Sequence, residues 1–208
     1  MKFILAKKLE MSQIFDEKGD VVPMTLVEAG PCFVTQIKNQ EKDGYESVQI
    51  AFGEVKRVNK PRDGHLKKVQ SSKFKVQSFG KYLKEFRAAD SELKLGDEIN
   101  VSIFKEGDTI KVSGLTIGRG FTGVVKRHGF KGGPASHGQK HSLRAPGSIG
   151  ATFPERVPKG RRMGGRYGGE RVTVRGLKIA KVDAENNILA IKGAVPGKRG
   201  TLLEISTI

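Results

Sequence analysis

RVTVRGLKIAKV, residues 171–182, decides the fold, because it resumes strand-like text directly after a long segment of a different kind. It is a β-rich run, and TIKVSGLTI (109–117) is its counterpart just before that segment. Further out lie KFILAKKL (2–9), VVPMTLVEA (21–29), FVTQI (33–37), ESVQIAF (46–52) and EINVSIF (98–104), then NILAIKGAV (187–195) and TLLEISTI (201–208). Turn residues punctuate them: Lys18-Gly19-Asp20, Lys42-Asp43-Gly44, Glu106-Gly107-Asp108, Glu185-Asn186-Asn187 and Pro196-Gly197-Lys198. Many short strands at this spacing predict a mainly β protein with a closed or sandwich-like antiparallel body. That body is discontinuous, residues 1–117 plus 170–208, and the segment 118–169 is inserted into it. Residues 56–95 form a second basic excursion, with a small helical patch expected around Tyr82, Leu83 and Phe86.

The inserted segment is set apart by its composition. Residues 118–169 hold 14 of the 27 glycines, 11 of the 38 Lys and Arg, three of the four histidines, and Glu155 as the one acid. They therefore carry +10 of the chain's net +16. No carboxylate stands between Asp108 and Glu155. The large apolar side chains available are Phe121, Val124, Val125, Phe130, Leu143, Ile149, Phe153, Val157, Met163 and Tyr167. Buried together they would not offset the backbone entropy of ordering so many residues, and glycine, which loses the most freedom on folding, widens the gap. The segment is expected to stay unfixed until an external partner holds it. A phosphate backbone has the matching charge, and each neutralised phosphate releases condensed counterions.

The whole chain, 208 residues with 38 Lys and Arg against 22 Asp and Glu, points the same way, toward a polyanionic partner. Cys32 is the single cysteine, so no disulfide within the chain is available and a reducing compartment is expected. MKFILAKK has four apolar residues before Lys7, too few for a secretory core or a membrane span. A soluble, intracellular protein with no membrane partner is expected.

Other motifs weaken on inspection. Gly118-Arg119-Gly120-Phe121-Thr122-Gly123 matches G-x-G-x-x-G after a strand, but Gly129, Gly132, Gly133 and Pro134 break any helix and no acid follows in range. Gly133-Pro134-Ala135-Ser136-His137-Gly138 begins like a phosphate loop, yet Gln139 stands where its lysine belongs. His137 and His141 have the spacing of two zinc ligands on a helix, but Pro134 and Gly138 argue against a helix and no Cys or acid completes a set. Ser136 beside His137 and Ser142 beside His141 have no orienting carboxylate in the segment. No catalytic residue, metal ligand, cofactor or small-molecule substrate is therefore assigned. The cations alone suit an ordinary solvated surface, except that such surfaces normally mix both signs. Lys56 to Lys75, with Asp63 as its sole acid, is a second candidate contact.

Several stretches, in order, resemble the bacterial form of large-subunit ribosomal protein L-three. They are KKLEMSQIFDEKGDVVPMTLVEAGPC near the N-terminus, LKEFR (83–87), GRGFTGVVKRHGF (118–130), SHGQKHSLRAPGSIG (136–150), KGRRMGGRYG (159–168) and VTVRGLKIAKVDAENNILAIKGAVPG (172–197). The resemblance implies a translation-factor-like antiparallel β-barrel near the outside of the large subunit, and an irregular basic extension threading through ribosomal RNA toward the peptidyl-transferase centre. It implies a primary RNA binder near the 3′ end of the large-subunit RNA that helps to initiate assembly, beside ribosomal proteins L-fourteen and L-nineteen. Some bacterial members carry a methylated glutamine just after GSIG; this chain reads GSIGATFPERV (147–157), so the modification is not implied here.

The expectation is a non-enzymatic, cytoplasmic ribosomal protein. Arg119, Lys126, Arg127, Lys131, Lys140, Arg144, Arg156, Lys159, Arg161, Arg162 and Arg166 are assigned to phosphates. His128, His137 and His141 are assigned to base, sugar or phosphate contacts. Ser148 and Gly150, in the middle of the insert, are assigned to its tip against RNA. The competing expectations are a ribosome-independent RNA chaperone or nucleic-acid-compacting protein and, more remotely, an enzyme.

Overall fold

The computed structural model describes residues 2–16, 18–66, 69, 79–87 and 93–208. Among them, twelve strands carry the fold: β1 (Phe3–Phe15), β2 (Val21–Ala29), β3 (Cys32–Lys38), β4 (Ser47–Glu54), β5 (Phe79–Phe86), β6 (Glu98–Ile99), β7 (Thr109–Leu115), β8 (Phe121–Thr122), β9 (Gly165–Arg166), β10 (Arg171–Asp183), β11 (Ile188–Lys192) and β12 (Leu202–Thr207). Three short helices join them, α1 (Gln40–Asp43), α2 (Lys60–Leu66) and α3 (Val124–His128). The chain divides into two compact units, Met1–Leu115 with Arg171–Ile208, and Thr116–Glu170.

In the first unit six strands close into a barrel in the order β1-β12-β7-β10-β11-β2. Every neighbouring pair is antiparallel. Alternation explains why these strands close on one another. Ile110 and Val112 of β7, Leu189 and Ile191 of β11, and Leu203 and Ile205 of β12 are fully buried, two residues apart on each strand. Closure also leaves these strands no open edge over the paired length. β10 bends twice to reach both neighbours, with register shifts between Val174 and Leu177 and between Ile179 and Lys181. Gly176 allows the first bend, at φ 76°.

A second antiparallel sheet, β5-β4-β3-β6, shares the same core. Val34, Ile50, Phe52 and Ile99 belong to one buried cluster with Ile4, Leu5, Ile110 and Leu203. Cys32 sits at this junction, fully buried, with its thiol directed at the Leu5 carbonyl 3.6 Å away. Burial pushes that thiol up to about 12, so it is held as an inert packing group.

Two local expectations are corrected. Tyr82, Leu83 and Phe86 form no helix; they lie in β5, opposite Phe52, Ala51 and Val48 of β4. The spacing of Tyr82 and Phe86 suits one strand face as well as one helix face. Pairing with β4 and the stacking of Phe86 on Phe3, centroids 4.7 Å apart, select the strand. EINVSIF (98–104) is a strand only at Glu98–Ile99 and then a 3-10 turn, Val101–Ile103. The turn buries Val101 and Phe104, three residues apart, where a strand would point them to opposite faces. The turn at Lys42-Asp43-Gly44 contains the end of α1, closed by Gly44 at φ 78°. In the basic stretch Lys56 to Lys75, residues 67, 68 and 70–75 lie outside the described residues.

The insertion leaves the barrel from β7 and returns on β10, and these two strands are direct partners, with Leu115 opposite Arg171 and Gly114 opposite Val172. A short Gly/Ser linker therefore spans the gap, and closure entropy varies only weakly with loop length. Replacing 119–168 by such a linker is expected to leave one cooperative thermal transition. Its Tm should lie within about 5 °C of the full chain, since about 1 kcal/mol shifts Tm by roughly 2–4 °C at this size. Loss of the single transition would show that the insertion contributes core.

Candidate nucleic-acid interface

The second unit begins as a narrow backbone ladder. Thr116 N donates to Glu170 O at 2.9 Å, Arg119 N to Tyr167 O at 2.9 Å and Tyr167 N to Gly120 O at 3.0 Å. β8 and β9 continue it, with Phe121 opposite Arg166 and Thr122 opposite Gly165. The Arg119 guanidinium lies 5.4 Å from the Tyr167 ring centroid, over its face. α3 follows, a five-residue helix where the sequence predicts none; Val124 to His128 fit in before Gly129, at φ 72°, ends it. No long helix opens after Gly123, as a dinucleotide fingerprint would need.

Two side chains tie α3 to the returning chain. Arg127 Nη1 donates to the Met163 carbonyl at 2.8 Å, and His128 Nε2 donates to the same oxygen at 3.0 Å. Arg127 and His128 are accordingly half-buried. These two positions are structural as well as cationic.

From Gly129 to Gly164 the chain has no helix or strand. Backbone and glycine shape it instead. Gly133 N donates to both Ser142 O and Leu143 O, at 3.2 and 3.1 Å. Gly132 is required there, because its φ is 75° and a Cβ would fall on the Leu143 carbonyl oxygen. His137, itself at φ 63°, and Gly138 lie in the chain between these hydrogen-bonded ends. Farther on, Ser148 Oγ donates to Gly150 O at 2.8 Å, and Arg161 Nη2 donates to Ser148 O. Phe130 lines two clefts. One holds Pro158, Lys159, Gly160, Arg161 and Arg162 with it; the other holds Lys131, Gly132, Gly133, Ser142, Ala145, Pro146 and Gly147.

The other candidate residues are open to solvent: Arg119, Lys126, Lys131, His137, Lys140, His141, Arg144, Ser148, Gly150, Arg156, Lys159, Arg161, Arg162 and Arg166. Among the described residues, no carboxylate pairs with any cation of 118–169, while ion pairs such as Lys38–Glu85 at 2.8 Å and Lys2–Asp108 at 3.1 Å lie in the barrel unit. No cluster of three or more His, Cys, Asp or Glu able to hold a metal ion occurs among the described residues. Nor is any described helix long and apolar enough to cross a membrane. The arrangement presents fixed positive charge with flexible arms and close-approach glycines, which suits a polyanion and supplies no acid–base pair for chemistry.

Two of the segment's large apolar residues stand out for their exposure. Phe121 and Phe153 are 84% and 83% exposed. Of the ten large apolar side chains in the segment, Val124 alone is buried. An exposed aromatic face beside arginines is a stacking platform for a base. Nothing in the local sequence separates such a phenylalanine from a core one; only the lack of an opposing apolar face does.

A profile of the family described as "Ribosomal protein L3" matches residues 80–188. "Large ribosomal subunit protein uL3" of Chloroherpeton thalassium is 53% identical over 212 residues, covering 100% of this chain and 99% of that protein. The protein of the same name from Corynebacterium jeikeium is 51% identical over 211 residues, covering 100% and 94%. That of Synechococcus sp. strain CC9311 is 52% identical over 206 residues, covering 97% and 91%.

Proposed function

This chain belongs to the ribosomal protein L3 family, and from that premise we propose that it is a structural, non-enzymatic constituent of the large ribosomal subunit, working in the cytoplasm by binding ribosomal RNA. One observation supports this most directly: the eleven cations of 118–169 have no carboxylate partner among the described residues, and their segment has almost no buried apolar side chain of its own. RNA supplies both the counter-charge and the opposing surface. The barrel body, residues 1–117 with 170–208, is the anchor, and 118–169 is the part that enters RNA. Kinship with the family supports the finer reading. In it the chain binds near the 3′ end of the large-subunit RNA, helps to nucleate assembly beside proteins L-fourteen and L-nineteen, and directs Ser148 and Gly150 toward the peptidyl-transferase centre.

The cations divide by what they already do within the protein. Arg162 has no internal hydrogen bond among the described residues and lines the Phe130 cleft, so it is a phosphate anchor. Arg161, exposed to solvent, holds Ser148 with one nitrogen and keeps its remaining donors for the same work. Arg127 and His128 hold α3. Phe121 and Phe153 stack on bases.

Co-sedimentation with large subunits through a high-salt wash tests the reading, and a chain recovered free or on bulk nucleic acid would instead support a chaperone or compacting role. Arg162→Ala is expected to lower the salt slope of large-subunit RNA binding by about 0.7–0.9 with an unchanged melting curve. Arg127→Ala is expected to lower affinity while also raising amide exchange across residues 124–128. Equal salt slopes for wild type and Arg162→Ala would remove Arg162 from the interface.

At the tip, a Cβ added to Gly150 would meet no protein atom beyond its chain neighbours within 4 Å, and its φ is not left-handed. Gly150→Val should leave the free protein unchanged, so any effect arises in the assembled particle. Subunits carrying it are expected to assemble and to show altered chemical footprints or drug sensitivity around the peptidyl-transferase centre; unchanged footprints and sensitivity would place the tip elsewhere.

A further inference from the structure

The insertion changes character at Gly129 and again at Met163. Among residues 129–162 none is buried. Their hydrogen bonds to one another are short in sequence; the longest reach, from Arg161 Nη2 to Ser148 O, spans 13 residues. In 116–128 and 163–170 the bonds instead cross from the departing chain to the returning one. Thr122 and Val124 are buried there.

The crossing bonds form a continuous series. Leu115 already stands opposite Arg171, so little further loop entropy opposes pairing of the residues that follow. Besides the bond from Thr116 N to Glu170 O, Gly169 N donates to Thr116 O at 3.2 Å and Glu170 N to Thr116 Oγ1 at 3.3 Å. The series runs on to Thr122, whose Oγ1 donates to Gly165 O at 3.3 Å. A two-stranded ladder is marginal in water by itself. Side chains brace this one, with Arg119 over the Tyr167 ring and Arg127 and His128 sharing the Met163 carbonyl. Glycine makes the fit specific. Gly168 has φ 74°, and a Cβ on it would lie 2.1 Å from the Ile117 carbonyl oxygen.

We propose that residues 116–128 and 163–170 form a neck that folds without RNA, and that 129–162 alone are ordered by it. Composition treats the insertion as one unfixed segment; the crossing bonds divide it. The neck is a conformational device. It holds the two ends of 129–162 together, so RNA orders a closed loop rather than an open chain, at a smaller entropic cost. It also sets the start of that loop, because the Phe130 ring centroid lies 5.9 Å from that of His128, which the Met163 carbonyl holds. The role at RNA rests on the chain being an RNA-binding constituent of the large subunit.

Hydrogen exchange of the free full chain, read by mass spectrometry, tests the neck. The amides of Arg119, Arg127, Gly129 and Tyr167 are expected to exchange at least about ten-fold more slowly than those of 131–161. Gly168→Ala should abolish that difference while leaving exchange in β7 and β12 unchanged. Its affinity for transcribed large-subunit RNA should fall about ten-fold at an unchanged salt slope, because no cation is lost. Equally fast exchange of neck and loop in the free wild-type chain overturns the proposal, whether or not the variant folds. A neck that Gly168→Ala leaves protected overturns it too. Wild-type affinity from a variant whose neck has opened, or an altered slope, overturns the role at RNA. Each of these results leaves the ribosomal reading standing. Absence of the chain from large subunits overturns that reading and leaves the exchange pattern of the free chain as it is.

Discussion

The pairing of β7 with β10 is the constraint on which the rest of the molecule depends. It places Leu115 opposite Arg171, so the chain departs and returns at hydrogen-bonded neighbours. Whatever lies between them imposes little on closure, because the entropy of a loop grows only logarithmically with its length. β10 also pairs with β11, so one long strand links the strands on the N-terminal side of the insertion to those on its C-terminal side. The barrel can therefore hold its own core while residues 116–170 vary in composition without reference to that core. A segment rich in glycine and cation is tolerated at this point of the fold for that reason.

Much of the barrel is legible in the sequence because period-two alternation and turn residues both report on local backbone. VVPMTLVEA (21–29) coincides with β2, and RVTVRGLKIAKV matches β10 to within one residue. Legibility fails where two periodicities coincide. Tyr82 and Phe86 sit four apart, which a helix and a strand both satisfy, and only β4 and Phe3 decide between them. It fails again at Val101 and Phe104, where burial is achieved by a turn too short to have a pattern of its own.

The candidate interface divides in the same way. Its charge was legible, since acid-free composition needs no three-dimensional information. The internal duties of Arg127 and His128 were not, because their acceptor is the Met163 carbonyl, some 35 residues away in sequence and anonymous as a backbone group. Phe121 and Phe153, two of the few large apolar side chains of a segment too poor in them to build a core, are exposed in the structure. Burial depends on what faces a side chain, and no described residue buries these two.

Charge placement then separates the protein's two units. Carboxylates among the cations of 118–169 would neutralise them internally and weaken every phosphate contact. The chain keeps them out for 46 residues, between Asp108 and Glu155. The sorting by sign thus does what shape alone does not. The backbone-built segment keeps its cations open to a polyanion, while ion pairs such as Lys38–Glu85 and Lys2–Asp108 lie in the barrel unit.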